Sequence, residues 1–223
     1  MREVVFDTET TGLDPEAGHR VVEIGCLELV NHLPTGRSFQ CYINPERDMP
    51  PGAFEIHGLS AEFLASHPIF AAIAEKFLTF IGDSRLVIHN AAFDLRFINA
   101  ELKRANLRPL DSTRAVDTVE MARRKFPGAP ASLDALCKRF NIDNSQRTKH
   151  GALLDAELLA EVYLELIGGR QATFSLAGAE VMVEAEEIVA RTHRLPRPHV
   201  PTAEELAAHQ ALLAKLKDPV WLA

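Results

Sequence analysis

The stretch Val4-Val5-Phe6-Asp7-Thr8-Glu9-Thr10-Thr11-Gly12 constrains this chain more than any other: an apolar strand runs into two carboxylates and then into a turn. Side chains alternate along a strand, so Val5, Asp7 and Glu9 share one face while Val4, Phe6 and Thr8 share the other. Two residues of strand span about 6.6 Å, so both acids stay ionised at neutral pH only with water or a cation between them. Acids make up 31 of the 223 residues, and an acid-x-acid triplet arises about four times by chance in such a chain. The weight therefore rests on the apolar strand that precedes the pair, and on whether other acids also sit on apolar faces.

The length suffices for one large domain, or for a domain of about 170 residues with an appendage. A hydrophobic fraction of 47% and a charged fraction of 25% describe an ordinary water-soluble globular chain. Its net charge of −7 excludes a protein that coats nucleic acid through a basic surface, so any nucleic-acid role has to rest on a local site or on metal ions. Cys26, Cys41 and Cys137 are scattered among apolar residues without a C-x-x-C, as expected of reduced thiols. No run reaches the roughly 18 apolar residues of a membrane span, and no signal peptide is expected ahead of the first strand. The expected location is the cytoplasm.

After the turn at Asp14 to Gly18, a second strand is expected over Arg20 to Val30 and a third over Ser38 to Ile43, joined by a turn at Pro34-Thr35-Gly36. Asn44 to Leu59 holds Pro45, Pro50, Pro51 and Gly52 and reads as an irregular functional loop ending in Ile56-His57-Gly58-Leu59. Ser60 is a candidate N-cap, and Ile69, Ile73, Phe77 and Phe80 predict a helix from Pro68 to Ile81. Leu86-Val87-Ile88 is a short strand, followed by a helix from Phe93 to about Asn106. Ala115-Val116-Asp117 is a fifth strand, with a helix through Arg124 and another over Ser132 to Phe140. Asp117 and Asp134 read there as strand-end and first-turn capping acids.

Two of the helices carry an acid on their apolar stripe. Asp94 aligns with Phe97, Ile98 and Leu102, and Asp155 with Leu158, Leu159, Val162 and Leu166. A bare buried carboxylate is costly, so each is expected to have a partner. His150 lies five residues before Asp155, after a polar lead-in from Asn144 to Lys149 expected to be mobile, which makes it a candidate general base.

With these residues in hand, Asp7-Thr8-Glu9-Thr10-Thr11-Gly12, His89-Asn90-Ala91-Ala92-Phe93-Asp94 and His150 with Asp155 resemble the three motifs of the DEDD superfamily of 3′→5′ exonucleases, in its histidine (DEDDh, or DnaQ-like) subgroup. The other subgroup has a tyrosine four residues before the last acid, where this chain has Gly151. Phe126-Pro127-Gly128, Ser132-Leu133-Asp134-Ala135-Leu136-Cys137 and Arg147-Thr148 extend the resemblance to the proofreading members of bacterial replicative polymerases.

The resemblance implies a ribonuclease H-like α/β fold, a five-stranded mixed sheet flanked by helices, which agrees with the meander and strand-helix-strand pattern read from the chain. It implies that Asp7, Glu9, Asp94 and Asp155 hold two divalent cations, Mg²⁺ or Mn²⁺, since all-oxygen ligation suits hard ions. His150 would take the proton of the attacking water. The implied reaction is hydrolysis of the 3′-terminal phosphodiester of single-stranded or frayed DNA to nucleoside 5′-monophosphates, the end being contacted by Thr10, Thr11, Gly12, Leu13, His57, Asn90 and Phe93.

The exonuclease domain is expected over 1–169, a flexible linker over 170–201 and a docking helix over 202–223. Gln171, Phe174 and Leu176 resemble a sliding-clamp motif, though with Phe before Leu. Leu206, Leu213 and Leu216 with Val220-Trp221-Leu222 form an apolar surface too small for a core of its own. The implied partner for it is the catalytic (alpha) subunit of the polymerase. An RNA-trimming exonuclease of the same superfamily, or a catalytically idle assembly subunit, remain the alternatives.

Overall fold

The opening stretch forms β1 (Arg2–Thr10) at the centre of a five-stranded sheet of order β3-β2-β1-β4-β5, in a computed structural model that describes residues 1–147, 149–169 and 200–215. β2 (Val21–Val30) pairs antiparallel with β1, and β3 (Leu33–Tyr42) antiparallel with β2. β4 (Arg85–Ile88) and β5 (Ala115–Asp117) add parallel strands, but β4 pairs with β1 only along Glu3, Val4 and Val5. Beyond Val5 the β4 side of β1 is released, and this opening is where the acids gather.

Among the described residues, seven α-helices accompany the sheet in the first of the two units into which the chain divides, Met1–Ser175: α1 (Pro51–His57), α2 (Ala61–Ala65), α3 (Phe70–Ile81), α4 (Ala91–Arg104), α5 (Thr118–Lys125), α6 (Leu133–Phe140) and α7 (Ala152–Leu166). The strand alternation sorts them onto two faces. Val4 and Phe6 of β1 pack with Phe70, Phe77, Phe97 and Ile98 of α3 and α4. Val5 packs with Ala122, Leu136, Leu159 and Val162 of α5, α6 and α7. In the second unit, Leu176–Ala223, the described residues form α8 (Ala203–Leu213), opened by a capping box between Thr202 and Glu205. Among the described residues no helix is long and apolar enough to cross a membrane.

Two local readings are corrected. The hairpin between β2 and β3 turns at Asn31 and His32, both at positive φ (51° and 67°), as a two-residue primed turn demands. Pro34-Thr35-Gly36 instead lies inside β3, where the register slips between Leu27 and Leu29 and Gly36 takes up the irregularity at φ 83°. The segment read as irregular holds α1, whose breakers bracket it: Pro50 is the N-cap, Pro51 sits in the first turn, and Gly58 closes the helix at φ 75°. Elsewhere, boundaries differ from the expected ones by a few residues at most, and Ser60 and Ser132 cap α2 and α6 as read.

The position of α7 follows from contacts at both of its ends. The Ala152 N–H donates to Glu23 Oε2 on β2 (3.2 Å), and the Tyr163 hydroxyl donates to buried Glu3 Oε1 on β1 (2.8 Å). Gly25, paired with Asp7 across the strands, allows the helix to begin directly on β2: a Cβ there would lie 2.2 Å from the Ala152 carbonyl carbon and the Leu153 nitrogen. Gly25→Ala is therefore expected to push the first turn of α7 outward. Urea unfolding should show a loss of about 1–3 kcal/mol, the usual range for overpacking, and turnover should fall with it. Wild-type stability and turnover would show that the helix does not bear on the strand.

Candidate active site

At the released end of β1, side chains from both faces of the sheet meet in a cleft of about 820 Å³. Asp7 and Glu9 come from the strand itself. Asp155 arrives in the first turn of α7, on the Val5 face, and Asp94 in the first turn of α4, on the Phe6 face. The stripes read from the sequence hold: Asp94 is buried with Phe97, Ile98 and Leu102, and Asp155 with Leu158, Leu159, Val162 and Leu166. Asp94 has the partner it requires, since the Thr8 hydroxyl donates to its Oδ1 at 2.7 Å. Thr8, which the alternation places opposite the acid pair, thus carries Asp94 around the end of the strand.

Glu9, His150 and Asp155 each place a ligand atom within 4.8 Å of the others, and Glu9 Oε1 is buried with no hydrogen-bond partner. Burial, helped by Asp94, Glu9 and Asp155, raises the Asp7 carboxyl well above its ordinary range. Burial first, then Asp155 and Glu23, pushes Glu9 up to about 8. Asp94 is pushed up to about 7 by burial, against the stabilising Thr8 hydrogen bond. Three carboxyl groups raised by burial, one of them with an orphaned oxygen, form with Asp155 a hard, all-oxygen donor set apart from the single imidazole. That set fits divalent cations.

The described residues of the loop that brings His150 to the site touch α1. The His150 N–H donates to the Ile56 carbonyl at 3.2 Å, and Lys149 Nζ lies 5.3 Å from the centre of the Phe54 ring on α1. The Arg147 guanidinium donates to both Asp155 oxygens (2.6 and 2.7 Å) and to both Asp134 oxygens (2.9 and 3.0 Å). Asp134 lies in the first turn of α6 as read, and is besides a wall of the cleft and a counter-ion to Arg147. Asp117 is a cap twice over, accepting from Val119 and Glu120 of α5 and from Asn90 and Ala91 at the start of α4.

Of the substrate residues named from the sequence, Thr10, Thr11, Gly12, Leu13, His57 and Phe93 line the cleft and Asn90 does not. Asn90 sits exposed at φ 68° before α4, with its backbone turned to Asp117. Leu13 is 79% exposed, so a large apolar side chain stands free at the mouth. His57 accepts the Leu59 N–H at Nδ1 (3.0 Å), which puts its proton on Nε2, and burial lowers its pKa. The ring is thus a neutral donor that lies toward the Thr10 carbonyl without a well-formed partner. His19, unassigned from the sequence, packs its ring over Gly12 and pairs with the Thr11 hydroxyl (3.1 Å), stiffening the loop that follows β1. Glu23 was equally unassigned; it faces Glu9 across the strands and is raised by burial. Gln171, Phe174 and Leu176 lie outside the described residues, as do Leu216 and Val220 to Leu222.

A ribonuclease H-like sheet with four acids and a histidine at the end of its central strand defines a class, the 3′→5′ exonucleases. Comparison with known proteins agrees. The family model described as Exonuclease matches residues 4–163. The chain is 52% identical over 222 residues to the DNA polymerase III subunit epsilon of Rickettsia felis, covering 97% of each chain. It is 44% identical over 223 residues to that of Escherichia coli, covering 95% of this chain and 92% of the relative. Solved structures share the fold: exonuclease I (TM-score 0.67, 19% identity, covering 76% of this chain and 41% of that one) and the nuclease domain of 3′hExo, a DEDDh member (TM-score 0.64, 17% identity, 74% and 91%). The chain belongs to the exonuclease family and, within it, to the DNA polymerase III epsilon subunits.

The raised acids fix the sign of a pH effect. A carboxyl whose folded pKa exceeds its ordinary value stabilises the fold fully below the ordinary value, and that stability is lost as pH rises through the folded pKa. For Glu9 the window runs from 4.5 to about 8. Buried His57 and His89, both lowered, act in the opposite sense at acid pH, so the alkaline side is the place to look. In EDTA, the melting temperature is expected to fall between about pH 6.5 and pH 8, and Glu9→Gln to flatten the slope. An equal slope in the variant would show that Glu9 ionises freely.

Proposed function

We propose that this chain is the proofreading exonuclease of a replicative DNA polymerase, acting in the cytoplasm and removing mispaired 3′-terminal nucleotides as nucleoside 5′-monophosphates. The observation that carries the reading is the gathering of Glu9, His150 and Asp155 ligand atoms within 4.8 Å of one another, in a cleft that Asp7 and Asp94 also line. Asp7, Glu9, Asp94 and Asp155 would hold two divalent cations, Mg²⁺ or Mn²⁺. When bound, these supply an activated water and charge stabilisation at the leaving 3′ oxygen. They also reconcile phosphate binding with a net charge of −7, because a cation rather than a lysine meets the phosphate.

The protein's own groups do the rest. His150 is the general base, the residue type whose pKa lies nearest neutrality. Its Nδ1 is 3.0 Å from Arg147 Nη2; arginine only donates, so the Nδ1 lone pair faces that side chain. The ring is 48% exposed, which leaves it room to turn that lone pair to the water. His57 Nε2–H is a neutral donor for an oxygen of the terminal nucleotide, and exposed Leu13 is an apolar wedge against its base. Mismatched ends are preferred because a frayed terminus costs less to unpair and deliver to a single-strand site.

The tail serves delivery. Leu206 and Leu212 of α8 are exposed, and such free apolar side chains suit docking on the polymerase catalytic (alpha) subunit. A linker over 170–201, with Gln171, Phe174 and Leu176 as a clamp-binding motif, would hold the nuclease near the growing end and raise its effective concentration.

The test is degradation of 5′-labelled single-stranded DNA with Mn²⁺ or Mg²⁺, beside RNA of the same sequence. Stepwise 3′ shortening of DNA is expected, slower on RNA and abolished in Asp7→Ala and Asp155→Ala. His150→Ala is expected to lower turnover by about 10²-fold to 10⁴-fold. Turnover by the aspartate variants would remove the acids from the mechanism, and faster loss of RNA would reassign the substrate.

A further inference from the structure

Arg147 is the one cationic side chain among the described residues that lines the cleft. It is only 8% exposed, on a loop otherwise polar and open. Each of its five N–H groups has an acceptor. Nε and Nη2 form a fork on Asp155, Nη1 spans both Asp134 oxygens, and the remaining Nη2 hydrogen meets His150 Nδ1 at 3.0 Å. Asp134 is in turn held by Asn144 Nδ2 at 3.0 Å. One planar group therefore joins three elements: the first turn of α6, the loop that carries His150 and the first turn of α7.

We propose that Arg147 is the positioning residue of the metal centre, fixing the Asp155 carboxylate so that its free lone pairs point toward Glu9. This rests on the reading of Asp155 as a cation ligand. A carboxylate offers about four lone-pair directions. The Arg147 fork takes two and, being planar and anchored on Asp134, sets the plane of the group; the others are left for a cation. A lysine would supply the charge without the plane, because the donors of an ammonium rotate about one nitrogen and form no rigid planar fork. Outer partners that orient a ligating carboxylate are typically worth about 10-fold to 100-fold in metal affinity or activity.

Charge and orientation push in opposite directions here. A guanidinium beside a cation repels it, so an Arg147 that acted by charge alone would weaken metal binding, and its removal would tighten it. Arg147→Lys separates the two effects by keeping the charge and losing the fork.

The experiment is calorimetric titration of Mn²⁺ into the purified full chain, wild type and Arg147→Lys, with Asp134→Asn and Asp155→Asn alongside and an EDTA melt of each to confirm folding. Arg147→Lys is expected to bind Mn²⁺ about 10-fold to 100-fold more weakly. Its turnover on DNA should fall with KM little changed and recover as Mn²⁺ is raised, a rescue that a merely structural role would not give. Asp134→Asn, which leaves the fork on Asp155 intact, should show a smaller loss in the same direction, and it remains informative should the lysine variant fold poorly. Wild-type or tighter affinity in Arg147→Lys, with Asp155→Asn abolishing binding, overturns the positioning role alone. Wild-type affinity in Asp155→Asn overturns the ligand assignment and this inference with it.

Discussion

Mutual repulsion among carboxylates is the constraint on which this structure depends. Asp7, Glu9, Asp94 and Asp155 enter one cleft from a strand and two helices, and burial, with the charge of neighbouring acids added, raises the first three, Glu9 to about 8 and Asp94 to about 7. A fold gains nothing from such an arrangement by itself, since four apolar residues there would pack without penalty. The arrangement makes sense as a receptacle for positive charge, and much of the surrounding sequence serves to hold it open. Arg147 answers Asp155, Thr8 answers Asp94, and Glu9 keeps a buried oxygen unanswered.

The sheet resolves the geometric problem of bringing acids to one point from opposite sides. β1 lies between β2 and β4, yet β4 leaves it after Val5, so the last residues of β1 are accessible to helices on both faces. α4 begins where β4 ends, and its first turn is fastened by Asp117 and, farther along, by the Arg20–Glu101 fork (2.6 and 2.9 Å). α7 is placed by an absence of side chain at Gly25 and by hydrogen bonds to Glu23 and Glu3. Chemistry and scaffold thus share residues: Gly25 opposes Asp7, and Glu23 opposes Glu9.

What the sequence discloses follows from periodicity. A carboxylate on an apolar stripe is visible without a structure, so Asp94 and Asp155 can be found, and the alternation along β1 exposes Asp7 and Glu9. The resemblance to DEDDh exonucleases ties the four together. What it conceals depends on register and tertiary meeting. Glu23 and Gly25 matter because of what lies across the strand, which no single stretch encodes. Arg147 in a polar loop looks like a solvated charge until α6 and α7 are brought to either side of it. The α1 helix hides behind its own punctuation, because Pro51 at the first turn and Gly58 at the C-terminal cap are the residues that also make a loop. At the hairpin, the strong turn signal of Pro34-Thr35-Gly36 masks the weaker pair Asn31-His32, and polar residues of modest left-handed preference win because the strand twist favours a two-residue loop.

The central claim is that these four carboxylates exist to hold cations, and the most direct measurement is anomalous diffraction from crystals of the chain grown with Mn²⁺ and a nucleoside 5′-monophosphate. The account predicts two manganese peaks among Asp7, Glu9, Asp94 and Asp155, with Arg147 still forked on Asp155. Crystals that bind the nucleotide but show no manganese between these side chains would contradict it.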